Sequence, residues 1–278
     1  MADVKISVGI TLYNPEDREI DYIANCLKGF STIYVYDNSK NNSKTLMENA
    51  NIVYWFNGKN DGLAAAFNSF LKKAYEDDID YLLILDQDSL YNDEEIQRLK
   101  TEITRIPYDK SVGIYACKAQ PANVEQVFLP AEPINEEEMV ISSGSFLNLK
   151  AIQEKKIAYD NNLFVDYVDT DFCRQVRNNK LKIICYNRYV MKQSLGYLYK
   201  NRICHSAIRH YYMVRDLGYL NIKYNSKFVT VLKTFKFYFT NLITILHEDD
   251  KKKKIVYSSK GLRDYFANVK GECPIKKG

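Results

Sequence analysis

YLLILDQDSL, residues 81–90, decides how the rest of the chain is read. Five uninterrupted residues of Tyr, Leu and Ile suit a strand buried on both faces, and the run stops abruptly at two carboxylates, Asp86 and Asp88. A strand drawn into a core delivers the acids that follow it to the carboxyl edge of its sheet, where open α/β sheets bind ligands. Hard divalent cations take oxygen ligands, and Mg²⁺ is typically held by one or two carboxylates plus substrate phosphates. The same Asp-x-Asp-Ser also reads as the cap of a following helix, with Ser89 and Asn92 as turn and N-cap residues. The tripeptide alone does not choose between a metal site and a cap.

The totals narrow the setting. A chain of 278 residues, 46% hydrophobic and 27% charged, can bury a large core as one domain or as one domain with an appended subdomain. Its net charge of +4, from 39 basic and 35 acidic residues, argues against nucleic acid as a partner. The 23 tyrosines are the oddity of the composition. The six cysteines show no C-x-x-C spacing, and MADVKISVGI lacks the basic and apolar regions of a secretory leader, so reduced thiols and a cytoplasmic location are expected. No run of 18 apolar residues occurs, which disfavours a membrane span.

Outward from residues 81–90, short apolar runs alternate with helical patterns, as in a parallel sheet built from βα units. Strands are expected at 5–13, 32–38 and 51–57, with helices from Asn14-Pro15 to about Gly29 and from Leu63 to about Asp77. Polar residues close each strand: Thr11 and Asn14 after the first, Asp37, Asn38 and Ser39 after the second, Asn60 and Asp61 after the third. With Asp86 and Asp88, four strand ends feed one ledge. No G-x-G-x-x-G and no G-x-x-x-x-G-K-[ST] occurs, which disfavours a dinucleotide-binding dehydrogenase and a P-loop enzyme. Gly62 reads as part of an ordinary Asn-Asp-Gly turn.

Beyond this half, a helix is expected from Asp93, a strand at 112–120, and a strand at 138–149 interrupted by Ser-Ser-Gly-Ser. FVDYVDTDFCRQVRNN, 164–179, reads as a helix whose opening carries Asp166, Asp169 and Asp171. Acids in a first turn complement the helix dipole, but three beside apolar neighbours exceed that need and make a catalytic carboxylate plausible. Residues 182–191 read as a closing strand. The last third mixes Tyr, Phe, Lys and Arg in long amphipathic stretches, followed by four lysines at 251–254. Such a segment suits either a helical subdomain packed on its aromatics or a helix on an anionic membrane surface, placing the protein peripherally at the inner face of the cell membrane.

Taken in order, these stretches resemble a family-two glycosyltransferase of the GT-A fold, and within that group they are similar to bacterial rhamnosyltransferases. The markers are Thr11-Leu12-Tyr13-Asn14, Asp37-Asn38-Ser39, Asn60-x-Gly62-Leu63-Ala64-x-Ala66-x-Asn68, Asp86-Gln87-Asp88, Ser143-Gly144-Ser145, Val165-Asp166-Tyr167-Val168-Asp169 and Arg209-x-Tyr211-Tyr212-x-x-Arg215. The resemblance implies a mostly parallel α/β GT-A domain over 1–196 and a helical, basic and aromatic region over 197–278. It implies that Thr11, Tyr13 and Asp37 hold the base and ribose of a dTDP- or UDP-sugar, with Asp37 accepting from a pyrimidine imide N–H, and that Asn60 joins that site. Asp86 and Asp88 would hold Mn²⁺ or Mg²⁺ on the diphosphate, and Arg209 and Arg215 would steady the phosphates. Asp169 would be the base that activates a hydroxyl of a glycan or lipid-linked acceptor in a single inverting displacement.

Three positions depart from the family pattern: Gln175 for Arg, Gln193 for His before Leu-Gly, and Asp216 for Asn. The second implies a metal held by fewer protein ligands, or one completed by His205, although a lone histidine is more often structural. These departures leave room for a non-catalytic sugar-nucleotide-binding or scaffold protein. A nucleotidyltransferase, which also uses paired acids, lacks its usual glycine-rich basic loop here. The sequence does not define the donor sugar, the acceptor or the oligomeric state.

Overall fold

A computed structural model of the protein describes residues 4–27, 29–43, 46, 50–89, 93–121, 131–193, 196–200 and 202–274. The Cα positions divide into two compact units: Met1–Asn60, Ala66–Tyr159 and Phe172–Ser194 form the first, and Asp61–Ala65, Asp160–Asp171 and Leu195–Gly278 form the second.

In the first unit, the apolar runs pair as expected from their burial. β1 (Ile6–Leu12) lies between β2 (Ile33–Asp37) and β4 (Tyr81–Asp86), parallel to both, and β3 (Ile52–Phe56) extends the sheet beside β2. All seven residues of β1 are buried, as a strand flanked by helices on both faces requires. Helices α1 (Asp17–Cys26) and α2 (Leu63–Glu76) follow β1 and β3. Gly9 explains how α2 packs: a Cβ there would come within 2.5 Å of the Phe70 ring. The small residues Ala64 and Ala66 and the rings of Phe67 and Phe70 are the buried face of that helix.

After α3 (Asp93–Arg105) the sheet changes direction. β5 (Val112–Pro121) and β8 (Lys182–Gln193) are parallel to each other, while β7 (Ser145–Asn148) lies antiparallel between β4 and β5. A three-residue strand not expected from sequence, β6 (Ile134–Glu136), closes the edge of the order β3-β2-β1-β4-β7-β5-β8-β6. The strand expected at 138–149 is thus only four residues long. Ser142–Gly144 form a turn instead: Gly144 has φ 80°, a conformation costly for any side chain, and its N–H donates to the Ile84 carbonyl at 2.9 Å. α4 (Leu149–Glu154) starts at once because the Asn148 side chain caps it, accepting from the Ala151 N–H. α5 (Val168–Asn178) starts four residues later than expected, which leaves Asp166 in the preceding turn.

The second unit contains a hairpin, β9 (Tyr197–Tyr199) and β10 (Arg202–Cys204), and three helices, α6 (Ala207–Tyr224), α7 (Lys227–Ile245) and α8 (Lys251–Phe266). α6 and α8 cross closely where Gly261 meets the Tyr211 carbonyl, a contact with no room for a Cβ. Phe164, Tyr211, Tyr212 and Tyr257 form its small aromatic core.

Many of the tyrosines prove to be carboxylate partners. Tyr34 donates to Asp77 at 2.8 Å, Tyr211 to Asp264 at 3.0 Å and Tyr224 to Asp171 at 2.7 Å, so apolar rings fill the interior while their hydroxyls satisfy the acids. The five described cysteines that are buried, Cys117, Cys173, Cys185, Cys204 and Cys273, are all reduced.

Candidate active site

The strand order 3-2-1-4 reverses at the boundary between β1 and β4, and a crevice opens beyond the carboxyl ends of strands at such a switch point. Register brings the sequence-predicted residues to it in the first unit: Thr11 is opposite Asp86, and Leu12 is opposite Asp37. Thr11 is nearly buried, whereas Asn60, Asp86 and Asp88 are half-buried and Tyr13 is exposed. Gln87 braces the ledge. Its Oε1 accepts from the Tyr13 N–H at 2.6 Å and its Nε2 donates to the Tyr13 carbonyl at 3.3 Å. The next residue, Asn14, donates its backbone N–H to the Ser39 hydroxyl at 2.6 Å, so the loops after β1, β2 and β4 are joined.

Asp86 is held from two sides. Its N–H donates to the Ser143 hydroxyl at 3.1 Å, and its Oδ2 accepts from Gln193 Nε2 at 2.7 Å. Gln193 is 8% exposed, and its Oε1 is buried without a hydrogen-bond partner among the described residues. Sequence reading marked Gln193 only as a departure from a family pattern; its place at the end of β8, four strands from β1, is what brings it to Asp86. The Ser89 hydroxyl is buried and makes no hydrogen bond among the described residues. Asn92 lies outside the described residues.

The oxygens present suit a hard divalent cation: two carboxylates at one strand end and an orphaned buried amide oxygen beside one of them. His205 is a different matter. Its ring packs against His210 at 6.4 Å, and burial, then the nearby Arg209 and His210 charges, lower its pKa. Among the described residues, no group of three or more His, Cys, Asp and Glu side chains could hold a metal. His205 belongs to no such group.

Asp37 also differs from expectation. It is fully buried, its Oδ1 accepts from the Ser39 N–H at 2.9 Å, and its Oδ2 accepts from the Ser43 hydroxyl at 3.2 Å and from the Tyr54 hydroxyl. Burial and this bond to Asp37 push the Tyr54 hydroxyl up to about 12. A carboxylate so enclosed organises the loop after β2.

The second acidic cluster belongs to the second unit, and its three aspartates have different surroundings. Asp171 is buried and binds Lys223 at 2.8 Å and Tyr224 at 2.7 Å, tying α5 to the end of α6. Asp169 is half-buried in the first turn of α5. Asp166 is 8% exposed; its Oδ1 meets Arg209 at 2.9 Å and its Oδ2 is buried without a partner. Burial raises the Asp166 pKa to about 7, with Asp216 and Asp169 adding to the rise and Arg209 opposing it.

This shift has a signed consequence for stability. The folded protein keeps the Asp166 proton up to about pH 7, whereas the unfolded chain releases it near the ordinary aspartate value of 3.8. Between those pH values the native state binds more protons, so stability falls as pH rises, by up to roughly 1.4 kcal/mol per pH unit. Asp166→Asn is expected to flatten this decline in urea titrations at pH 4.5–7; an unchanged slope would show that Asp166 ionises normally.

Arg215 was expected at a phosphate, but it is fully buried. Its Nε donates to Asp216 Oδ1 at 2.8 Å, its Nη1 donates to the Gly271 carbonyl at 2.6 Å and to the Tyr211 hydroxyl at 3.3 Å, and the Tyr212 and Phe164 rings cover it. Asp216 in turn accepts from the N–H groups of Phe164 and Val165 at 3.0 and 3.2 Å. The pair therefore fixes the segment that leads into Asp166 and Asp169. Arg209 keeps a side chain 45% exposed.

A model described as Glycosyl transferase family 2 matches residues 7–143. The chain is 26% identical over 286 residues to a Shigella flexneri protein named dTDP-rhamnosyl transferase RfbF, covering 94% of each chain. Among solved structures it is similar to S. aureus TarS 1-349 in complex with UDP, at 16% identity and a TM-score of 0.55 over 95% of this chain and 72% of that one. It is also similar to GalNAc-T7 with UDP, GalNAc and Mn²⁺, at 13% identity and a TM-score of 0.56 over 96% of this chain and 57% of that one. At these identities the structural likeness speaks for the fold alone, which is of the GT-A type. Similar to glycosyl transferase family 2 over residues 7–143 and to a named rhamnosyl transferase over nearly its whole length, this chain is a glycosyltransferase.

Proposed function

We propose that the protein transfers rhamnose from dTDP-rhamnose to a hydroxyl of a growing cell-surface glycan in the cytoplasm, with inversion at the anomeric carbon. The observation that carries this reading is the pair Asp86 and Asp88 at the β1/β4 switch point, with Gln193 against Asp86. The likeness to a protein named as a dTDP-rhamnosyl transferase supports the choice of donor.

In this reading Thr11, Tyr13 and Asn60 border the nucleoside, on a ledge that Asp37 and Gln87 hold in shape. Asp86, Asp88 and Gln193 Oε1 would hold a divalent cation, which supplies positive charge to the departing nucleoside diphosphate. Arg209 contributes further positive charge to that anion. Asp169 takes the proton of the acceptor hydroxyl as its oxygen bonds to the anomeric carbon and the bond from that carbon to the diphosphate oxygen breaks. A base is needed because a neutral sugar hydroxyl is a weak nucleophile. Arg215 takes no part in contact with the donor.

Incubation with dTDP-rhamnose and with UDP-sugars, in Mn²⁺ or Mg²⁺, tests the proposal by release of nucleoside diphosphate and by binding calorimetry. dTDP-rhamnose is expected to be turned over fastest. Preference for a UDP-sugar would replace the donor, and tight binding without release would make this a sugar-nucleotide-binding protein.

A further inference from the structure

α7 is built inside out. Its inward residues are Thr230, Thr234, Asn241 and Ile245, all buried, whereas Phe228, Leu232, Phe239, Ile243 and Leu246 are each more than half exposed and Phe235 is 36% exposed. At about 3.6 residues per turn these six fall on one side of the helix, within an arc of roughly 100°. A surface helix normally does the reverse, and a continuous apolar patch of this kind marks an interaction site.

What covers it follows from charge. Residues 227–246 contain no Asp or Glu, and their charged residues are Lys227, Lys233 and Lys236. A second copy packed stripe to stripe would place lysines beside lysines, because the stripe itself carries no acid to answer them. Where the stripe ends, at Leu246, a recess of about 330 Å³ is lined by Lys200, Arg202, His247 and Lys251. The one acid there, Glu248, is already neutralised by Lys254 at 2.7 Å. Lys251, Lys252 and Lys253 are exposed on the first turn of α8, and the hairpin beside the recess exposes a cross-strand apolar pair, Leu198 and Ile203. Apolar side chains next to unpaired positive charge fit acyl chains next to phosphate headgroups. No described helix is long and apolar enough to cross a membrane, so such a surface would lie on it.

We infer that the α7 stripe, with the basic recess at its end, docks the protein on an anionic phospholipid bilayer. α7 lies in the interface with Phe228, Leu232, Phe239 and Ile243 among the upper acyl chains, and the recess receives a headgroup phosphate. Attachment does not depend on the identity of the donor or acceptor.

Co-sedimentation of the full chain with vesicles tests this. Binding is expected to vesicles of phosphatidylcholine mixed with phosphatidylglycerol, to weaken with added salt, and to be at least tenfold weaker to phosphatidylcholine alone. Phe239→Asp/Ile243→Asp should abolish it, and Lys200→Glu/Arg202→Glu should lower it about tenfold or more, at roughly 1 kcal/mol per charge removed. Circular dichroism and thermal midpoints must match the parent, as expected for exposed positions. No sedimentation with anionic vesicles, or equal sedimentation with both lipids, overturns the inference. A concentration-dependent dimer that Phe239→Asp/Ile243→Asp dissociates would also overturn it, in favour of a second copy.

Discussion

Asp169→Asn is expected to slow sugar transfer by about 10²–10⁴-fold while leaving dTDP affinity and the thermal midpoint nearly unchanged. Asparagine keeps the shape and polarity of the side chain but cannot accept a proton from a hydroxyl. The competing role for Asp169 is electrostatic, since an acid in the first turn of α5 also complements the helix dipole. That role is worth only about 0.3–1 kcal/mol of stability and predicts little effect on turnover. The two accounts therefore separate cleanly: turnover within a few-fold of the parent would remove Asp169 from the chemistry. The neighbouring acids are not interchangeable with it. Asp171 is spent on Lys223 and Tyr224, and Asp166 is enclosed against Arg209.

The first unit was legible because its strands are buried on both faces, so continuous apolar runs reported them directly. β4 is the clearest case: the run stops at Asp86 in sequence and the strand stops there in space. β6 escaped because a three-residue strand carries too few side chains to show a period, and β7 was read too long because a Ser-Ser-Gly turn next to a strand reads as a bulge within it. Which residues end a strand was legible in the sequence; how deeply each would be buried was not. Asp37 and Arg215 have the right type and spacing for ligand contact, yet both are fully enclosed, and local sequence does not report that Tyr54, Ser43 or Gly271 will close over them. Gln193 illustrates the converse. A one-residue departure from a pattern became informative only when β8 brought it to Asp86, 107 residues away in the chain. In α7 the amphipathic period was visible, but which face would be turned outward was not.

Asp88→Ala is expected to cost more than about 100-fold in Mn²⁺ affinity, beyond the 10–100-fold typical of losing a partner that only orients a ligand. Donor binding should fall with it in Mn²⁺ and stay unchanged in a chelator, because the carboxylate acts through the cation. Gln193 tests the same site by another route. Its Nε2 is satisfied by Asp86 while its Oε1 is buried and unsatisfied, an arrangement that costs stability unless something bound there accepts the lone pairs. Gln193→Glu sets a second carboxylate against Asp86. Without metal the two charges repel in a half-buried site, so the thermal midpoint should fall below the parent's and recover as pH is lowered. With Mn²⁺ the added carboxylate becomes a ligand, so the metal-induced rise in midpoint should exceed the parent's, as binding to the folded state alone requires. This reading does not depend on turnover. An equal or smaller Mn²⁺-induced rise in the variant would place the cation away from Gln193 and leave the orphaned amide oxygen to a sugar hydroxyl or to water.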